Sequence, residues 1–457
     1  MQEILSSRPA PAEMPKPTSP TSPASATAPH APASLPESRR IRPWSLAHPL
    51  WLCPFRPFFA LAIFSAAGLI ALWGAYLTFG WPLPDVPDGP FVWHAHELLM
   101  GCALAAAIGF VLTAVPEFTE TSEFAAAPVR ALVLLWLTGR IAFWLSGAWP
   151  RPAMATAALA HLLLLGGLLK LIAPPIWRDR ERRQLAFVGA LLLMIALTAG
   201  FYLDALRGEP PARWLLAQLG AFMALIIIAM SRISMRIVNA SIEERQDAEQ
   251  AAQTAFDAVE APERYIARPP RRNLAIICIA LFTTAQWYQP GGRISAWLAL
   301  AAACAMLNLM GDWHVGRALW RRWPLMLYAS YAAMAAGYGL TGLSLLGDGL
   351  LANGSLHLLT IGGLGLSIYA VIAIAGYTHS GLEKDDRAWV PVGVCLLAAS
   401  APLRAAASLA DAPIPLLALS AVLWCLAFTL MGWHMLPVFM RPRADGRSGC
   451  AGVLGED

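Results

Sequence analysis

Long apolar runs recur along almost the whole chain, and they constrain its fold more than any other feature. A helix that crosses a bilayer needs roughly 20 predominantly apolar residues, and twelve such runs follow one another between residues 57 and 437. Charged residues make up only 14% of the sequence, whereas soluble domains carry roughly 25%. The runs are continuous, not alternating, which favours helices over a β-barrel. We predict an all-α, polytopic transmembrane helical bundle of about twelve spans.

Short polar or turn-forming segments separate the predicted spans. Two of them are WPRP at 149–152 and QPGGR at 289–293, where proline and glycine between apolar runs favour a tight turn. Run length predicts spans at 57–80, 93–116, 128–148, 152–174, 184–206, 212–233, 272–290, 293–311, 324–346, 353–377, 389–410 and 414–437.

The distribution of Lys and Arg predicts the orientation, because cytoplasmic loops of membrane proteins carry an excess of both. With the N-terminus inside, the inner segments hold about 26 of these residues and the outer segments four. We therefore predict that the N- and C-termini are both cytoplasmic. The end of the bundle near residues 81–92 and 347–352 is called the predicted outer end below, and the opposite end is the predicted inner end.

Polar segments flank and interrupt the membrane domain, which we place at 43–440. Residues 1–42 are rich in Pro, Ala, Ser and Thr, which predicts a disordered cytoplasmic tail and not a targeting sequence. The cytoplasmic loop 234–271 has high helix propensity and predicts a solvated helix, with a plain connector as the simpler interpretation. Residues 441–457 form a second cytoplasmic tail.

Charge and cysteine usage narrow the function classes. The formal net charge of +4 is small for 457 residues, so nothing favours a nucleic-acid partner. The seven cysteines are scattered and include no CxxC pair, so the sequence indicates neither a disulfide framework nor a zinc ribbon. The partner that composition predicts is the lipid bilayer.

WHAHE at 93–97 is the most informative short segment, because ionisable residues inside a membrane are costly and each is a functional candidate. On a helix, His94 and His96 would point about 200° apart. Either His94 lies in a non-helical entry turn or the two histidines serve different partners. Glu97 could orient an imidazole or pass protons. A hydrogen-bonded cap at the membrane interface is the plainer alternative.

His357 lies in SLHLLTIGGLGLSIY, where glycines remove side-chain bulk. We predict it as a haem or metal ligand with room for a flat macrocycle, because imidazole suits iron and copper. The alternative is small-residue packing of helices, with the histidine bonded to a neighbour. Since they share one predicted depth, His94, His96 and His357 form one predicted pool of ligands.

Two more ionisable residues lie within predicted spans. Arg140 in the third span could bind an anion or a haem propionate, or it could pair with Glu97 on another helix, which is the outcome we expect. His161 in the fourth span is expected to be a hydrogen-bonded core histidine.

Four segments resemble the NnrS family. They are HPLWLCPFRPFF at 48–59, WHAHELLMGCALAAAIGFVLTAVPEFT at 93–119, LHLLTIGGLGLSIYAVIAIAGYTHSG at 356–381 and RPRADG at 441–446. The resemblance implies a twelve-span bacterial inner-membrane protein that contains haem and copper and is connected with nitric oxide, denitrification and tolerance of nitrosative stress. The positions that match the family are Arg56, His94, His96, Glu97 and His357.

Three positions depart from the family's pattern, all at the predicted inner end. Tyr377 stands where the family usually has a histidine, and His379 follows two residues later. Ser330 or Tyr331 takes the place of a histidine often present in the ninth span, and Arg232 lies in an altered end of the sixth span. These changes argue against a second metal site at that end.

The function that the resemblance implies is haem and copper binding in the nitric oxide response. Nitric oxide would be the small-molecule ligand and a respiratory electron donor a partner. No catalytic constellation is demonstrable, although Glu97 is a candidate proton group. A multi-helix transporter fits the Gly and Pro interruptions, but WHAHE has no counterpart six helices later. A metal-free assembly factor for respiratory enzymes is the third alternative.

Overall fold

Helices form the regular structure of the protein. The computed structural model describes residues 42–182, 184–252, 265–347, 349–383, 385–447 and 449–450, with backbone alone at 245–252. These residues contain helices and no β-strand. The long helices are α1 (Phe55–Phe79), α2 (Gly89–Thr119), α3 (Ala126–Trp144), α4 (Pro150–Arg178), α5 (Leu185–Arg207), α6 (Ala212–Ala252), α7 (Pro269–Tyr288), α8 (Arg293–Met310), α9 (Arg322–Leu346), α10 (Ala352–Thr378), α11 (Trp389–Ala406) and α12 (Ile414–Phe439).

Each predicted span corresponds to one long helix in the described part of the chain. The ends agree within four residues except at α6, which continues to Ala252 where the prediction stopped at residue 233. Ten of these helices are long and apolar enough to cross a membrane, and α7 and α9 fall short of that hydropathy. The prediction of an all-helical, multi-pass membrane protein is confirmed. Twelve spans and cytoplasmic termini stay predictions.

The polar segments predicted from composition are described only in part. The tail 1–42 lies outside the described residues except for Arg42. Within the loop 234–271, α6 carries the chain as helix to Ala252, and residues 253–264 lie outside the described part. After α12 the chain folds back onto the bundle, where the buried Arg443 donates to the carbonyl of His379 at 2.9 Å.

Arg56, in FRPFF, ties the start of the membrane domain to its end. Its side chain is fully buried, and Nη1 donates to the carbonyl oxygens of Pro49 at 3.0 Å and Arg441 at 2.7 Å. Nη1 also lies 3.3 Å from the carbonyl oxygen of Phe439 at the end of α12. A guanidinium only donates, so this family position serves to satisfy backbone carbonyls where α1 packs against α12.

Two helices change to π-helical geometry directly after a histidine. In α2 the π segment is Glu97–Ala103, which follows His96, and in α10 it is Leu358–Gly365, which follows His357. Single π turns inside helices are rare and occur frequently at functional sites. In α2, Trp136 of α3 donates through Nε1 to the carbonyl of Gly101 at 3.2 Å. Both interruptions directly follow a histidine that the sequence analysis singled out.

Side chains of neighbouring helices occupy the space beside the glycines of α10. A Cβ at Gly362 would lie 2.6 Å from Cβ of Ala333, and one at Gly365 would lie 2.5 Å from the Trp424 ring. The expectation that these glycines leave room for a flat macrocycle is therefore wrong. They allow close approach of helices, which is the alternative weighed from the sequence.

Gly354 brings α10 against α11, and its replacement tests this packing. A Cβ at Gly354 would lie 2.9 Å from the carbonyl oxygen of Ala405. Backbone cannot rotate aside, so Gly354→Ala should destabilise the fold by about 1–3 kcal/mol. The measurement is the midpoint of thermal unfolding in detergent. Gly189→Ala in α5 is the matched control, because a Cβ there meets nothing within 4 Å. Equal unfolding midpoints for the two variants would contradict this packing.

Candidate functional site

A cavity of about 340 Å³ lies between helices near the predicted outer end. His94 of α2, His357 of α10 and Arg404 of α11 all line it. The rest of the wall is mainly apolar and includes Trp73, Leu98, Leu215, Leu356, Leu417 and Trp424. Small-molecule sites are typically apolar cavities with a few polar groups that fix the ligand. The cavity has this composition.

A hydrogen bond to the backbone fixes the tautomer of the neutral His357 ring. Nδ1 lies 2.8 Å from the carbonyl oxygen of Asn353, one turn earlier in α10. A carbonyl oxygen only accepts, so Nδ1 carries the proton and donates it. In the neutral ring, Nε2 then keeps its lone pair. This is the arrangement that orients a histidine as a metal ligand.

His94 is placed by an aromatic neighbour. Its ring stacks on Trp73 of α1 with 4.3 Å between ring centroids and 21° between the planes. Its Nδ1 is buried and has no hydrogen-bond partner among the described residues. A buried polar atom without a partner is costly. A ligand in the cavity, or a metal bound there, is the kind of group that would remove this cost.

His96 points away from the cavity and into a buried polar ring of five side chains. Its Nδ1 lies 3.2 Å from Oε1 of Glu97, and its Nε2 lies 2.9 Å from the hydroxyl of Tyr202. The ring closes through Arg140, whose Nη1 donates to Glu97 Oε1 at 2.7 Å and whose Nη2 contacts Nε2 of His161. All five members are buried, namely His96, Glu97, Arg140, His161 and Tyr202.

The direction of each hydrogen bond in this ring follows from Arg140, which can only donate, and from ionised Glu97, which can only accept. Arg140 only donates, so Nε2 of His161 must accept, and the His161 proton sits on Nδ1. Nδ1 then donates to the oxygen of Tyr202 at 2.6 Å. The hydroxyl of Tyr202 in turn donates to Nε2 of His96, whose Nδ1–H donates to Glu97. Both neutral histidines have both nitrogens engaged.

These contacts separate the predicted ligands into two groups. His94 and His357 line one cavity, whereas His96 has both ring nitrogens bonded within the polar ring. Since α2 is helical through His96, His94 does not lie in a non-helical entry turn, and the two histidines of WHAHE have different neighbours. Arg140 pairs with Glu97, as expected, and is not among the residues that line the cavity.

The polar ring depends on close approach of α3 and α4. A Cβ at Gly139 would lie 2.7 Å from Nε2 of His161. His161 is fully buried, and it is the hydrogen-bonded core histidine that the sequence suggested. His96 is also packed between rings, 3.6 Å from the centroid of Phe143 and 5.0 Å from that of Phe201. The ring therefore sits in a tightly packed interior.

Two residues of the site were missed by sequence reasoning. Arg404 lines the cavity with both histidines, and its signal was a charged residue inside the predicted span 389–410. Tyr202 bridges two buried histidines. Its position near the end of a span is typical of an interfacial aromatic residue, so no local signal identified it.

Tyr377 and Ser330, two of the positions that depart from the family's pattern, make hydrogen bonds within the protein. The hydroxyl of Tyr377 donates to Oδ2 of Asp385 at 2.7 Å, which fixes the loop after α10. Hydrogen bonds from Arg387, Tyr377 and Trp389 keep the pKa of the Asp385 carboxyl below its ordinary value. Ser330 lies 3.4 Å from the carbonyl of Met326 in its own helix.

Clusters of metal-binding side chains are absent from the described ranges. Among those residues, no group of three or more His, Cys, Asp or Glu could hold a metal ion. Haem iron needs fewer protein ligands than a free metal ion, since it takes only one or two. The two histidines that share the cavity meet this smaller requirement.

Replacing Tyr202 by phenylalanine tests the polar ring. Tyr202→Phe would leave Nδ1–H of His161 and Nε2 of His96 without partners, and each buried orphan costs about 1–3 kcal/mol. The unfolding midpoint in detergent should fall clearly. Tyr331→Phe is the matched control, because the buried Tyr331 hydroxyl has no partner among the described residues. A control that is destabilised as much as Tyr202→Phe would refute the assignment.

Comparison with known proteins agrees with the motifs quoted from the sequence. The sequence model of a family described as "NnrS protein" matches residues 49–443, which is nearly the whole chain. No curated protein matches the chain significantly. The expectation drawn from FRPFF, WHAHE and the His357 segment is therefore confirmed, and the chain belongs to the NnrS family.

Proposed function

We propose that this protein is a haem-binding membrane protein that binds nitric oxide. Family membership supports a role in the nitric oxide response. The observation that carries the haem proposal is that His94 and His357, from two separate helices, line one apolar cavity of about 340 Å³. Two histidines in an apolar cavity are a suitable donor set for the haem that is associated with the family.

Each polar residue of the cavity has a distinct role in this proposal. His357 would hold the haem iron through Nε2, because its Nδ1–H bond to Asn353 leaves the lone pair there. His94 would hold the haem from the other helix or donate a hydrogen bond to a molecule bound there. Arg404 supplies a positive charge for a propionate, the role first considered for Arg140. When bound, haem would supply an iron centre that can take nitric oxide as a ligand.

The apolar wall has a role of its own. Side chains such as Leu98, Leu215 and Leu356 keep water away from the histidines. Nitric oxide is a small apolar molecule that partitions into the bilayer, so it can reach this cavity without a hydrophilic channel. A dry site also strengthens the electrostatic contact between Arg404 and a carboxylate.

His96 and Glu97 belong to the polar ring in this proposal and not to the ligand set. Releasing His96 for a metal would break bonds to both Glu97 and Tyr202. Glu97 is already paired with Arg140, so we propose no proton transfer through it. The described residues offer copper no donor set of three or more side chains, and the proposed function uses none.

The setting follows from the charge bias and from the family. We propose twelve spans with both termini in the cytoplasm, in the inner membrane of a bacterium. The haem cavity would then lie near the outer surface, and electrons would come from a respiratory donor. Ten helices in the described part of the chain are long and apolar enough to cross a membrane, which supports the multi-pass arrangement.

Optical spectra and iron analysis of purified protein test the proposal. The protein, expressed in a haem-replete host, should show a Soret band, stoichiometric iron and a shift of that band with nitric oxide. His357→Ala should abolish haem retention, because it removes the tethered ligand. His94→Ala should retain haem with an altered spectrum.

The control for these variants is His314→Ala, since His314 is exposed and lies outside the cavity. It should keep the wild-type spectrum and iron content. Wild-type spectra in both cavity variants would place the haem elsewhere, and wild-type protein without haem iron would overturn the proposal.

A further inference from the structure

A second and larger cavity of about 970 Å³ lies at the predicted inner end. Residues of α1, α2, α6, α9 and α10 line it, and none of its lining residues is shared with the cavity of His94 and His357. Its wall includes the aromatic residues Phe59, Phe110 and Phe118. Neither the proposed haem site nor its ligands use this space.

The charged residues of this inner cavity balance one another. Four arginines and four carboxylates line it. Arg236 donates to Glu117 at 2.8 Å, and Arg321 donates to Glu244 at 2.9 Å. Arg322 lies 3.7 Å from Asp386. With equal numbers of opposite charges, the lining has no excess positive charge for a free anion and no excess negative charge for a metal cation.

A neutral ligand with both accepting and donating groups matches this lining. A guanidinium has five N–H donors, so an arginine with one carboxylate partner can still donate to a carbonyl oxygen. Glu117 can accept from a hydroxyl, and its Oε2 lies 3.5 Å from Nε2 of the buried His379. Aromatic walls favour a flat ring between them.

We infer that the inner cavity binds a lipid-soluble quinone or its hydroquinone. This class has a flat, neutral ring with carbonyl or hydroxyl oxygens at opposite edges, and it partitions into the membrane. Its oxygens are suited to Arg322 or Arg321 and to the pair of Glu117 and His379. This binding site is separate from the proposed haem site and does not depend on haem.

One face of α10 links the two cavities. Leu364 and Ile368 line the outer cavity, and Val371, Ala375 and Thr378 line the inner one. These residues follow one another at intervals of three or four, so they share a helix face. Ile368 and Val371 are separated by about 4.5 Å along the helix axis. The two cavities are therefore neighbours along α10, with His357 near one end of this helix and His379 just beyond the other.

Binding of decylubiquinone and decylubiquinol to the purified full chain tests the inference, with titration calorimetry as the measurement. Ala375→Phe fills the inner cavity and should weaken binding of both forms at least tenfold, which is about 1.4 kcal/mol. Ala212→Phe, at the wall of the outer cavity, is the matched control and should leave quinone binding unchanged. Elution from a sizing column confirms that each variant is folded.

A second variant tests the chemistry of the pocket without filling it. Glu117→Gln replaces a carboxylate acceptor by a neutral amide and should weaken binding of the hydroquinone more than that of the quinone. Potassium nitrite, used as the anionic probe, should neither bind nor compete. Equal quinone binding in wild type and Ala375→Phe would show nonspecific uptake by detergent and overturn the inference, as would binding of nitrite alone.

The outcomes separate this inference from the haem proposal. Haem content is read from the Soret band of the same samples, and Ala375→Phe should not change it. Loss of quinone binding with retained haem confirms a separate inner site. Quinone binding in a protein that carries no haem refutes the haem proposal and leaves the quinone site standing.

Discussion

A charge buried inside a membrane protein must find its partners within the protein, and Arg140 shows how far that requirement reaches. Its guanidinium pairs with Glu97 of α2 and contacts His161 of α4, and Tyr202 of α5 completes the ring. Arg140 can only donate and ionised Glu97 can only accept. Four helices are therefore held in the one register that satisfies every member of the ring.

The polar ring also explains why the cavity receives only one histidine of WHAHE. Because α2 is helical there, His94 and His96 project to opposite sides. Hydrogen bonds of the polar ring hold the face of α2 that carries His96, and they thereby fix the rotation of α2 about its axis. His94 is then directed to the cavity, where Trp73 stacks against it. A structural network on one face positions a candidate ligand on the other.

The sequence predicted features that depend on local composition and missed those that depend on tertiary contact. Run length located the helices, and the scarcity of buried charges pointed to the pairing of Arg140 with Glu97. Tyr202 gave no local signal, and the charge of Arg404 inside a predicted span did not reveal its neighbours, because each residue acquires its role from helices distant in the chain. The glycines of α10 were misinterpreted for the same reason. The space left by a glycine side chain is occupied in the fold by a residue of a neighbouring helix, such as Ala333.

The shared face of α10 has a consequence for how the protein can change over evolution. Ile368 faces the outer cavity and Val371 the inner one, so both compartments use the same short stretch of helix as a wall. A substitution that shifts α10 along its axis changes the walls of both compartments. The outer and inner cavities therefore evolve together, because a substitution in this stretch of α10 that suits one cavity also alters the wall of the other.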